Sequence, residues 1–196
     1  MTAPPTDRRT GVAAVAGGLL LAASVAAELV HPVQSADGTV VSPTLFAGYL
    51  GVWTLGAAAL LVAHLQLRRT LSGIGRVGAV VSLVGTGLLF AFGLVVVGSA
   101  LVTGAPLEAS FVAFAVGLLL VAVGSVLLGL GLRRSGAVRG WWPVPLVAAA
   151  GALVALLVEQ WHDLGLLVFF GAWVLLGLVS LRHGRPAEER VAAAVG

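Results

Sequence analysis

VGAVVSLVGTGLLFAFGLVVVGSAL, from Val77 to Leu101, runs for 25 residues without a charged side chain. As a helix rising about 1.5 Å per residue it reaches about 37 Å, more than the roughly 30 Å of hydrocarbon in a bilayer. Lipid offers no partner to backbone N–H and C=O groups, so a single segment crossing it must satisfy them internally, as an α-helix. Working outward, five more apolar stretches fit the same reading: Gly11–Val30, Leu45–Leu67, Phe111–Leu132, Trp141–Val158 and Leu164–Leu181. The last two are short. The expected fold is all-α, a bundle of six transmembrane helices in one domain, with a tail over 182–196.

Composition agrees. Of 196 residues, 59% are apolar and only 10% charged, and the mean hydropathy is +1.08. A soluble domain cannot cover itself with so few charges. Cysteine is absent, which excludes disulfides, thiolate metal sites, haem thioether attachment and cysteine nucleophiles. Lysine is absent too, which removes Schiff-base chemistry.

All eleven positive charges are arginine, and their placement orients the chain. Arg8 and Arg9 precede span 1. Arg68, Arg69 and Arg76 separate spans 2 and 3, while Arg133, Arg134 and Arg139 separate spans 4 and 5. Arg182, Arg185 and Arg190 follow span 6. The alternate loops, His31–Thr44, Val102–Ser110 and Glu159–Asp163, hold no arginine. Positive residues are retained on the cytoplasmic side, so both termini are expected there, in a bacterial cytoplasmic membrane. The pI near 11 therefore answers to topology, and nucleic acid is not an expected partner. Anionic lipids are, at the cytoplasmic arginines. Span 1 also reads as a signal peptide, with Arg8-Arg9 before it and Ser24-Val25-Ala26 near its end; its length favours retention.

Two patterns repeat along the chain. Phe46 to Leu67-Arg68-Arg69 has the spacing of Phe111 to Leu132-Arg133-Arg134, which suits either duplicated hairpins or helices obeying common insertion rules. Small residues form ladders at Ala14, Gly18, Ala22 and Ala26 and at Gly78, Ser82 and Thr86, where backbones can approach closely. Trp141, Trp142, Trp161 and Tyr49 read as interfacial anchors. Trp53 and Trp173 lie deeper, in packing positions or on a ligand pocket.

Near mid-span the sequence places hydroxyls alone (Thr54, Thr86, Ser125), which argues against proton pumping and ion-coupled carriage. His64 and His183 are expected at the cytoplasmic boundary. No nucleophile elbow, His-Glu-x-x-His motif or phosphate loop occurs.

One constellation stands out at the outer end. Glu28-x-x-His31 closes span 1 and Glu159-x-x-His162 closes span 5, each pair on one helix face. The match continues inward: Gly17, Leu21 and Ser24 are spaced like Ala148, Ala152 and Ala155. If these stripes face each other, Glu28, His31, Glu159 and His162 converge. A carboxylate in the last turn meets the negative end of the helix dipole and calls for a cation. Three readings are open: interfacial residues paired locally in water, a divalent-metal or haem site, or capture of a small solute or cation. A carboxylate-bridged di-metal site needs glutamates from two further helices, and only Glu108 is at hand. A bis-histidine haem would have to choose His31 with His162, or His64 with His183.

The Glu28-Leu-Val-His31-Pro32 ending of span 1 resembles uncharacterised six-helix integral membrane proteins of high-GC bacteria, in which a similar Glu-x-x-His-Pro closes the first helix. The layout is also similar to that of the substrate-capture subunits of energy-coupling-factor vitamin transporters. The expectation is an integral membrane protein that binds a small solute or cation at its outer face, as a subunit of a transport assembly. The alternatives are a metal- or haem-dependent membrane oxidoreductase and a structural or assembly subunit, with an oligomer or partner subunit in either case.

Overall fold

A computed structural model describes residues 8–32, 42–103, 107, 109–135 and 141–183. Six α-helices follow in chain order: α1 Arg8–Val30, α2 Pro43–Thr70, α3 Gly73–Thr103, α4 Ser110–Ser135, α5 Val144–Leu157 and α6 His162–His183. A 3-10 turn, Glu159–Trp161, joins α5 to α6. There is no strand among the described residues. Glu108, Arg139, Arg185, Arg190 and residues 184–196 lie outside the described residues, as does most of the first loop.

Five of the helices are long and apolar enough to cross a membrane; α5, with 14 residues, is shorter. The long helices outrun the apolar stretches that predict them. Arginine and polar ends continue the helix because their heads can leave the apolar layer while their stems stay on it. The fifth segment departs from expectation at its start, where Trp141–Pro143 forms a turn with Val144 N–H donating to Trp141 O at 3.1 Å. Pro143 and Pro145 fall where a helix begins, the one place where a missing N–H costs nothing. At its other end Val158 is extended (φ −124°, ψ 91°), which stops α5.

Each helix packs on its neighbours in sequence, and α6 closes against α1 to complete a ring. Lipid removes the hydrophobic drive between helices, so close packing must hold them, and small residues permit it. On the α1–α2 seam a Cβ built on Gly17 would lie 2.9 Å from Gly56 O, and one on Gly56 would lie 3.1 Å from Gly17 O. Two backbones meet there with no room for a methyl. The α5–α6 seam is the same: a Cβ on Gly151 would sit 2.8 Å from Gly165 O.

Convergence of the two stripes depends on spans 1 and 5 being neighbours, and in this ring they are not. α1 lies between α2 and α6, α5 lies between α4 and α6, and the backbones of α1 and α5 do not approach each other. The stripe of α1 that starts at Gly17 and Leu21 is spent on Gly56 and Leu60 of α2, while Gly18 packs on Phe170 and Val174 of α6. Ala155, on the supposed partner stripe, packs on Gly165 of α6.

The seams also show that neighbours run antiparallel. Gly11 meets Gly177 and Leu181, Gly85 meets Gly117, and Gly151 meets Phe169. Helix ends therefore collect in two sets. Arg8, Arg9, Arg68, Arg69, Arg76, Arg133, Arg134 and Arg182 all belong to one end of the bundle, and all are exposed. Glu28, Glu159 and Asp163 belong to the other.

Rings fill the interior. Trp173, Phe169 and Phe170 are essentially inaccessible, and Trp53 packs edge-on against Phe170 with centroids 5.3 Å apart. His64 is here too, at 0% exposure, its ring 4.5 Å from that of Trp173. His64, expected near the cytoplasmic boundary, sits on the inward face of α2, against a tryptophan from the middle of α6. Its Nδ1 donates to Leu60 O at 2.8 Å, and its Nε2 has no partner among the described residues.

Candidate functional site

A cavity of about 460 Å³ opens at the carboxylate end of the ring. Five helices wall it. α1 supplies Ser24 and Glu28, α2 Phe46, Tyr49 and Trp53, α3 Phe92 and Val96, α4 Phe111 and Phe114, and α6 His162, Asp163 and Leu166. α5 contributes nothing to the wall.

The wall is mainly aromatic, and helical spacing puts it there. Phe46, Tyr49 and Trp53 are three and four residues apart, so they share one face of α2, and Phe111 and Phe114 do the same on α4. Their rings touch in a chain. Phe92 lies 5.5 Å from Phe111 and 5.1 Å from Phe114, and Phe114 lies 6.0 Å from Trp53. From the cavity wall Trp53 packs on Phe170, and both belong with Trp173 to the buried core. Ser24 Oγ donates to Tyr49 O at 2.9 Å, tying α1 to α2 along the wall.

Glu28, His162 and Asp163 form the polar rim. Glu28 stands in the last turn of α1, where Pro32 and the exposed His31 follow. Asp163 stands in the first turn of α6, where the helix dipole favours a carboxylate. Asp163 and His162 line the same opening as Glu28. Two carboxylates thus share one opening, and no arginine stands at that end among the described residues.

The break after α5 positions His162. With the helix stopped at Val158, the carbonyl of Ala155 lacks a helical donor, as last-turn carbonyls do. His162 Nδ1 supplies one from seven residues on, at 2.6 Å. Its ring also lies 5.8 Å from that of Phe114.

Of the four residues singled out by sequence, Glu28 and His162 come together, and they do so across the α1–α6 seam. His162 opens α6; it does not close the fifth span. His31 and Glu159 are exposed and line no part of the cavity. No group of three His, Asp or Glu side chains that could hold a metal occurs among the described residues, so the four do not assemble as one ligand set. The sequence reading missed Asp163, which it assigned to a loop, although an acid opening a helix is a signal in itself. It also passed over the phenylalanines. Comparison with family models, with curated proteins and with solved structures finds no match to this chain.

Proposed function

We propose that this is a multi-pass protein of a bacterial cytoplasmic membrane, with six spans and both termini cytoplasmic, that captures a small organic cation from the outer face. One observation carries the ligand class: two carboxylates, Glu28 and Asp163, at the mouth of a cavity walled by aromatic rings. Like charges brought together call for a cation, and aromatic faces attract one by about 0.5–2 kcal/mol each. The cavity lies in the range of small-molecule sites, roughly 300–1,000 Å³. The buried aromatic core that continues from Trp53 supports capture of a ligand, as by a binding subunit of a transport assembly, over passage through an open pore. The segregated arginines support the orientation. The fifth helix, about 21 Å long by its 14 residues, would span with help from the turn before it and the 3-10 turn after it.

Thermal unfolding in nanodiscs with and without N,N,N-trimethyl-2-phenylethylammonium tests the ligand class, because a ligand of the folded state raises apparent stability. The cation should raise the melting temperature of the native protein and leave the Glu28→Gln/Asp163→Asn double variant unmoved. No shift in the native protein at millimolar cation, or an equal shift in both, would refute cation capture.

A further inference from the structure

We infer that the cation taken by this cavity bears at least one N–H, and that His162 reads it as a hydrogen-bond acceptor. The inference rests on the cation reading and adds to it the chemistry of the ammonium group. A backbone carbonyl can only accept, so the bond from His162 to Ala155 O puts a proton on Nδ1. In the neutral ring the remaining nitrogen, Nε2, then carries a lone pair. The bond to Ala155 also pins the ring, because its acceptor is fixed to the end of α5. Nε2 is the ring nitrogen left for the cavity that His162 lines.

The charged groups around that nitrogen agree. Glu28 of α1 and Asp163 of α6 line the same cavity as His162, while α4 brings the rings of Phe111 and Phe114. The polar rim then offers Glu28, Asp163 and His162 Nε2, acceptors all three. A quaternary ammonium satisfies the carboxylates by charge alone and leaves Nε2 facing methyl groups. A protonated primary, secondary or tertiary amine can satisfy charge and lone pair together.

The experiment uses two probes differing by one methyl: N,N-dimethyl-2-phenylethylammonium, with one N–H, and its N,N,N-trimethyl analogue, with none. Affinities are measured by calorimetry on the full chain in nanodiscs, native and His162→Asn. Asparagine places its amide nitrogen where Nδ1 was, so it can keep the bond to Ala155 while removing Nε2. The native protein should prefer the dimethyl probe by about tenfold, the size of one charge-assisted hydrogen bond. His162→Asn should bring the two affinities close to equal, chiefly by weakening the dimethyl probe. An undiminished preference in the variant would overturn the role of His162 and leave cation capture standing. Binding of neither probe to the native protein would overturn both. Should the variant not fold, the native protein decides alone through the series from primary to quaternary amine. An affinity step confined to the last methylation supports the inference, and a series without that step sinks it.

Discussion

His162 Nδ1 donates to the carbonyl of Ala155 at 2.6 Å, so one side chain both caps the end of α5 and opens α6 at the mouth of the cavity. Removing the cap should cost stability in proportion to one hydrogen bond. His162→Ala leaves a last-turn carbonyl unsatisfied and should lower unfolding free energy by about 1 kcal/mol, whereas His162→Asn should recover most of the loss. Melting curves in one detergent, without ligand, compare the two. Equal losses would show that the imidazole packs there and does not cap.

The rim predicts a division between Glu28 and Asp163, which line the cavity, and His31 and Glu159, which do not. Glu28→Gln and Asp163→Asn should each weaken binding of the trimethyl probe by about tenfold, and together by less than the product, because they act on one charge. Glu159→Gln and His31→Ala should leave binding unchanged, since both side chains are exposed away from the cavity wall. Calorimetry on the four variants separates these groups. Equal effects from Glu159 and Glu28 would mean that all four residues act as a unit.

Buried His64 gives a stability test of a different kind. Among the described residues its Nε2 has no partner in a site of 0% exposure, and the indole nitrogen of Trp173 beside it has none either. An orphaned buried polar atom is costly, so an apolar residue of similar size should be tolerated. His64→Leu should melt at or above the native temperature, and His64→Ala, which opens a cavity, should lose about 2–4 kcal/mol. A His64→Leu variant as unstable as His64→Ala would mean that a buried water bridges the imidazole to Trp173.

How much of this was legible beforehand differs between the helices and their neighbours. A run such as Val77–Leu101 announces its helix by length and lack of charge, and the helices fall where the apolar runs lie. The depth of polar residues was readable as well: Glu28 and His162 share an end because both lie close to helix ends facing away from arginine. What could not be read was which helix stands next to which. Gly17 and Gly18 are adjacent in sequence, yet one packs on α2 and the other on α6. Helices rich in alanine, glycine and leucine offer a plausible seam on several faces, so a matched stripe does not identify its partner. His64 is a related case. Its position one turn before Arg68 suggests the boundary, but the face it occupies, shared with Leu60 and Trp53, points inward. The repeated spacing from Phe46 and Phe111 held more than it seemed to, since both rings line the cavity.

Orientation can be checked directly because the chain has no cysteine of its own. Gln160 is exposed at the carboxylate end and Ser72 at the arginine end. With positive residues retained in the cytoplasm, a cysteine at Gln160 should react with an impermeant thiol reagent on intact cells, and one at Ser72 only after lysis. Labelling of Ser72→Cys from outside would invert the proposed topology and place the cavity on the cytoplasmic face.

The seams themselves make the last prediction. Where two glycine backbones meet, a methyl group has nowhere to go, because a Cβ under 3.0 Å from a carbonyl oxygen forces the helices apart. Gly17→Ala and Gly151→Ala should therefore destabilise the bundle by about 1–3 kcal/mol, the usual cost of overpacking. The same change at Gly51 or Gly171 meets nothing within 4 Å. There it restricts the unfolded backbone and improves helix propensity, so stability should rise by about 0.5–1 kcal/mol. Opposite signs from one substitution, measured as melting shifts in one detergent, isolate the packing term from propensity. Gly151 adds a functional readout, because the α5–α6 seam holds Ala155 beside His162. Spreading that seam should lengthen the bond from the imidazole and blunt the preference between the two amine probes. Gly17, on the α1–α2 seam, should lose stability while that preference stays intact. A uniform loss at all four glycines would show that helix flexibility, and not close approach, accounts for their place in the sequence.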